Sequence, residues 1–122
     1  MRFTEIAHDV WVGRYEWFDV NVTLVRGGSG LLVVDTHASA EAARAVIEDI
    51  RALGAGDVVA VVNTHEHFDH TFGNGAFRSA YGAVPVHAHE IAARAASAEA
   101  WVSTTSSPDP PRTSVTLTSN HS

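Results

Sequence analysis

With 122 residues, 45% of them hydrophobic, the chain has the size of one domain and enough apolar material to fill a core. Its net charge of −6 and pI near 5.7 leave no basic stripe of the kind a general nucleic-acid binder needs. The absence of cysteine excludes disulfides, cysteine-type zinc sites and a cysteine nucleophile, and it suits a reducing compartment.

The start, Met1 to Asp9, is polar and acidic where a secretory signal would be apolar. No stretch is long and apolar enough to span a bilayer, so the expected setting is soluble and cytoplasmic, with no membrane partner.

A first strand is predicted within Ile6 to Gly13, around Val10-Trp11-Val12. Tyr15, Trp17 and Phe18 follow in a polar setting and are expected in the core or as a lid over it, with the lining of a substrate pocket as the alternative. Val20 to Val25 alternates and then turns apolar. Arg26-Gly27-Gly28-Ser29-Gly30 is a turn, and Leu31 to Asp35 is a second arm, so the two runs read as a β-hairpin. The glycine cluster joins two strands and is followed by no lysine, which excludes a phosphate loop.

Asp35 ends an apolar strand and is expected as a turn or cap carboxylate. His37, two residues on, reads as a solvated loop histidine, with a place at a pocket edge as the alternative. From Ser39 to Leu53 the apolar residues Val46, Ile47, Ile50 and Leu53 recur at helical spacing. Ser39 is placed as N-cap, Glu41 sits in the first turn, and Gly54 stops the helix. Asp57 to Thr64 is a nearly continuous β-branched run, expected as a strand covered on both faces.

Directly after that strand comes Thr64-His65-Glu66-His67-Phe68-Asp69-His70. It holds three of the eight histidines and has the pattern H-x-H-x-D-H. Neutral imidazole nitrogen and carboxylate oxygen are good ligands for zinc and related divalent ions. Residues two apart point the same way in an extended chain, so His65 and His67 can converge on one point. Asp69 and His70 can then aim at a second point beyond the turn. Four such donors in six residues, placed at a strand end, are hard to obtain as an incidental cluster on a solvated loop.

Gly73 and Gly75 are expected to let the backbone pass close to this site. Val84 to His87 reads as a short strand, with Pro85 at an edge or strand start, and His89 to about Ala100 as an alanine-rich helix. His87 and His89 repeat the H-x-H spacing, but no carboxylate–histidine pair follows, and a surface strand-to-helix junction explains them. Residues 1–102 are taken as the folded unit. In 103–122, eleven of twenty residues are Ser or Thr and three are Pro, which predicts a flexible tail. His121 lies in that tail and is given no role.

The segment Val62-Asn63-Thr64-His65-Glu66-His67-Phe68-Asp69-His70-Thr71-Phe72-Gly73-Asn74 resembles the metal-binding loop of the metallo-β-lactamase-fold hydrolases. Leu31 to Thr36 resembles that family's earlier strand ending in aspartate. The resemblance runs from about Val10 to about Ala100. It implies an α/β fold: one half of an αββα sandwich, a mixed sheet with helices packed on it.

It also implies that His65 and His67 bind a first metal and Asp69 and His70 a second, while Asp35 supports the loop by hydrogen bonding. Asp69 would be catalytic as well, orienting the hydroxide. The complete enzyme would hold two zinc ions, with iron or manganese as alternatives. In the family a second half supplies the remaining ligands, and no match to that half is found here. The chain therefore reads as a truncated metal-dependent hydrolase of a small-molecule substrate. Its implied partner is a second half-domain or a second copy in a homodimer. The readings set against it are a non-catalytic metal-binding or oligomerising fragment and a structural protein whose histidines cluster incidentally.

Overall fold

The computed structural model describes residues 2–90, 102–105 and 115–119. Its first four strands are antiparallel neighbours: β1 (Phe3–Ala7), β2 (Val10–Tyr15), β3 (Val20–Arg26) and β4 (Leu31–Val34). Helix α1 (Ala40–Leu53) then carries the chain to β5 (Val58–Asn63), which lies parallel to β4. Short α2 (Phe68–Thr71) and α3 (Asn74–Tyr81) lead to β6 (Val86–Ala88), parallel to β5. The expected hairpin is β3–β4, and the fold is α/β with a mixed sheet.

Two further strands, β7 (Val102–Thr105) and β8 (Val115–Ser119), extend the sheet beyond β6 in the order β6-β8-β7. The segment expected as a flexible tail thus contributes sheet residues, where Val115 and Leu117 lie opposite Ala88 and Val86. Pro108, Pro110, Pro111 and His121 lie outside the described residues, as does the expected helix beyond Glu90.

Helix α1 begins and ends where its sequence says. The Ser39 hydroxyl accepts from the Ala42 amide at 3.0 Å, and Gly54 closes the helix in the left-handed conformation (φ 70°), its amide donating to Ile50 O. The helix buries Ala43, Val46, Ile47 and Ile50 in one cluster with Phe77 of α3 and with Leu24, Leu31, Val33, Val61 and Val86 of the sheet. Burying each large aliphatic chain stabilises the fold by roughly 1.5–3 kcal/mol.

The other sheet face is less protected. Leu32, Val34, Ala60 and Val62 are half-buried, and Val59 is 37% exposed. The strand at Val58–Asn63 was expected to be covered on both faces; among the described residues it is covered on one. The reason is that α1 and α3 pack in a single cluster on the same side. Strand β1 gave no sequence signal because only Phe3 of its five residues is buried. It is docked by that one ring, which lies 2.8 Å from where a Cβ would stand on Gly13.

Candidate metal centre

Parallel pairing of β4 and β5 brings two strand C-termini side by side, the usual place for a site in a layered α/β fold. Asp35 leaves β4 with its amide donating to Val62 O at 2.7 Å, so its carboxylate lies next to Thr64, just after β5. Oδ1 accepts from the Thr64 amide at 2.8 Å. Oδ2 accepts from the Thr64 hydroxyl and from His70 Nδ1, both at 2.7 Å. Asp35 is buried and holds a left-handed backbone (φ 68°), a conformation that aspartate tolerates better than most residues.

These contacts decide where the histidine protons sit. A carboxylate only accepts, so His70 carries its proton on Nδ1 and leaves the Nε2 lone pair free. The Thr64 hydroxyl spends its single proton on Asp35. His65 Nδ1, 2.8 Å from Thr64 Oγ1, must then be the donor in that contact, and its Nε2 is also free. One carboxylate thus prepares two imidazoles, the arrangement that orients metal-bound histidines elsewhere.

His65, Asp69 and His70 each place a ligand atom within 4.8 Å of the others'. Asp69 Oδ2 lies 3.5 Å from His70 Nε2. The His67 ring lies close by, 4.7 Å between centroids from the His65 ring, but outside this converging trio. His67 is exposed and occupies the N-cap position of α2 without a side-chain hydrogen bond to the helix. The donors are therefore grouped differently from the pairwise split that the resemblance implies. Three N and O donors fit one zinc ion that keeps an open position.

Behind the trio, buried polar residues fix the loop. Asn63 and Asn74 exchange hydrogen bonds at 3.1 and 2.7 Å, and the Thr36 hydroxyl donates to Asn74 Oδ1 at 2.7 Å. His70 O accepts from the Thr36 amide and from Asn63 Nδ2. Sequence reasoning gave these three residues no role. A polar asparagine closing the β-branched run of β5 was the available signal. Gly73 passes as close as expected: a Cβ there would run into the Thr36 carbonyl and lie 2.7 Å from Ala43 Cβ. Gly75 has nothing within 4 Å, so the close approach belongs to Gly73 alone.

His37, expected in solvent, is buried. Its backbone is left-handed (φ 76°), and its ring packs 5.5 Å from Tyr15 and 5.8 Å from Trp17. Nδ1 accepts from the Ala38 amide at 2.7 Å. Burial pushes its imidazole below the ordinary range; Asp69 pulls it up and His70 pushes it down. Burial likewise raises the Tyr15 phenol, helped by its 2.8 Å hydrogen bond to Asp49.

His87 is half-buried in β6, and His89 is exposed just after it. Neither joins the trio. Glu5, His8 and Asp9 form another donor group at the β1–β2 turn, where Asp9 is already paired with Arg26.

The sequence signature of the metallo-beta-lactamase superfamily matches residues 15–120. The chain belongs to that superfamily. Among solved structures, this superfamily member is similar to a metallo-beta-lactamase from Erythrobacter litoralis, whose active site holds β-mercaptoethanol. That match has 26% identity and a TM-score of 0.63 over 80% of this chain and 45% of the other. It is also similar to the metallo-beta-lactamase FIM-1 from Pseudomonas aeruginosa in its mono-zinc form, at 25% identity and TM-score 0.62, over 77% of this chain and 44% of that one. An (R)-specific secondary-alkylsulfatase from a Pseudomonas species is 41% identical over 51 residues, which is 8% of that protein. The chain thus spans less than half the length of the relatives it matches. Its mixed sheet and one-sided helices are one half of the superfamily's sandwich.

Proposed function

We propose that this chain carries the metal-binding half of a zinc-dependent hydrolase acting on an ester- or amide-like bond of a small molecule. The observation that supports this most is the convergence of His65, Asp69 and His70 within 4.8 Å, with Asp35 holding the imidazole lone pairs free. These three residues, with His67 beside them, would hold the metal. Iron or manganese would suit the same donors less specifically.

Zinc bound by these residues would supply hydroxide near neutral pH, since it lowers the pKa of bound water to about 7. Asp69, 3.5 Å from His70 Nε2, would accept a hydrogen bond from the attacking water and orient it towards the substrate. His65 and His70 would bind through Nε2, because their Nδ1 atoms are tied to Thr64 and Asp35. A second metal would need donors beyond these, from a second half-domain or a second copy of the chain. The alkyl sulfate named for one relative is an ester of the proposed class.

The test is hydrolysis of nitrophenyl acetate and nitrophenyl sulfate by the zinc-loaded chain, with and without a chelator. Zinc-dependent turnover is expected, falling at least ~100-fold in Asp69→Asn. Turnover unaffected by the chelator, or equal in the variant, contradicts it. Zinc binding without turnover favours the non-catalytic metal-binding reading.

A further inference from the structure

A cavity of about 560 Å³ lies at the end of β5 away from the metal loop. Its walls come from the last turns of α1 and α3, the start of β5 and the turn between α3 and β6. Val58 opens β5 and Asn63 closes it, so at ~3.3 Å per residue the cavity stands roughly 17 Å from the metal loop. It shares no residue with the metal donors and has the size of a small-molecule site.

Two opposite charges border it. Arg51 and Asp57 both line the cavity and both are exposed. They do not pair with each other, and the ion pairs among the described residues join other groups. Arg51 lies instead over the Tyr81 ring, its guanidinium carbon 5.6 Å from the centroid.

The Tyr81 hydroxyl is the third polar group. It is shielded from solvent and makes no hydrogen bond in the structure. Phe77 stacks beside its ring at 6.2 Å between centroids and holds it in place. Burial keeps the phenol above its ordinary range, so it retains its proton and can donate at neutral pH. Arg51 pulls the other way, close by but without a hydrogen bond of normal geometry. Folded chains seldom leave a buried hydroxyl unpaired, because the bonds it lost to water are then not replaced. An acceptor arriving beside Arg51 supplies the missing partner. The remaining wall is apolar: Val59, 37% exposed, with Pro85 and the face of the Tyr81 ring.

We infer that this cavity binds a zwitterion with an apolar body, an α-amino acid carrying an apolar side chain. Its carboxylate would sit between the Arg51 guanidinium and the Tyr81 hydroxyl, its ammonium would face Asp57, and its side chain would lie against Val59 and Pro85. A ligand with one charge matches the cavity less well, because an anion meets Asp57 and a cation meets Arg51. The inference is independent of the hydrolase reading, since binding here needs neither metal nor turnover.

The test titrates the full zinc-free chain by calorimetry with L-phenylalanine, with 3-phenylpropionate, which lacks the ammonium, and with 2-phenylethylamine, which lacks the carboxylate. Saturable one-to-one binding of phenylalanine is expected, with each analogue at least about tenfold weaker. Tyr81→Phe removes only the hydroxyl. Phenylalanine affinity should then fall about fivefold while the melting temperature holds or rises, since an unpaired buried group is gone. Arg51→Gln should weaken phenylalanine and 3-phenylpropionate by about tenfold and leave 2-phenylethylamine no weaker. Asp57→Asn should weaken phenylalanine and 2-phenylethylamine and leave 3-phenylpropionate no weaker.

No saturable phenylalanine binding by the folded wild-type chain overturns the inference. Either analogue binding as tightly as phenylalanine overturns it too, because the two charges would then not act together. Affinity unchanged in both Tyr81→Phe and Arg51→Gln places the binding elsewhere and has the same consequence. A lowered melting temperature in Tyr81→Phe also overturns it, since the hydroxyl would then have a partner within the fold.

Discussion

At the scale of single residues, Asp35 has the widest reach. It accepts three hydrogen bonds and through them sets the proton position on both His70 and His65. Asp35→Asn keeps the shape and tolerates the left-handed backbone, but its amide turns a donor towards groups that are themselves donors. Zinc affinity should fall roughly 10–100-fold, measured by competition with a chromogenic chelator. Unchanged affinity would mean that the histidines orient themselves.

The cluster of donors was legible in the sequence because its spacing is local, whereas the hydrogen bonding of Asp35 was implied only by the resemblance, its partners Thr64 and His70 lying far along the chain. His37 was misread because its burial depends on two aromatic residues about twenty positions earlier. It carries a pH prediction. Burial holds its imidazole below the ordinary 6.5, so on acidification the unfolded chain takes up a proton there first. The stability tied to this group is complete above about pH 6.5 and is lost as the pH falls towards the folded-state value. His37→Phe cannot titrate. In the metal-free chain, the unfolding free energy of wild type should fall relative to that of the variant from about pH 7 to about pH 5. A relative stability that stays constant or rises contradicts the burial argument.

At the scale of elements, the site depends on how closely the metal loop passes the β4–α1 connection. Two neighbouring glycines should respond in opposite directions. Gly73→Ala drives a methyl into the Thr36 carbonyl and Ala43 and should cost about 1–3 kcal/mol in urea unfolding, while displacing the loop that holds His70. Gly75 lies in α3 with open space around it, so Gly75→Ala should stabilise by about 0.5–1 kcal/mol. Equal effects would mean that the close pass is wrong.

Helix α1 and the β3–β4 hairpin were readable because caps, turn residues and periodicity all agree there. Strand β1 was not, since an exposed edge strand has no alternation to show. Strands β7 and β8 were hidden by their Ser/Thr-rich composition; their pairing is with β6 and with each other, through backbone groups that composition does not report.

At the scale of the molecule, the chain has the family's first half and a sheet with one well-covered face. Leu31 and Val33 are fully buried, whereas Leu32 and Val34 beside them are half-buried. The asymmetry arises because α1 and α3 pack in one cluster with Leu31 and Val33. What the chain does hold is a trio of donors prepared by one carboxylate.

The most direct measurement is therefore zinc per chain after exhaustive dialysis, read beside the oligomeric mass, for wild type and for the His65→Ala, His70→Ala double variant. About one zinc per wild-type chain and none in the variant is expected. Equal zinc in both, or none in either, would contradict a metal centre at His65, Asp69 and His70.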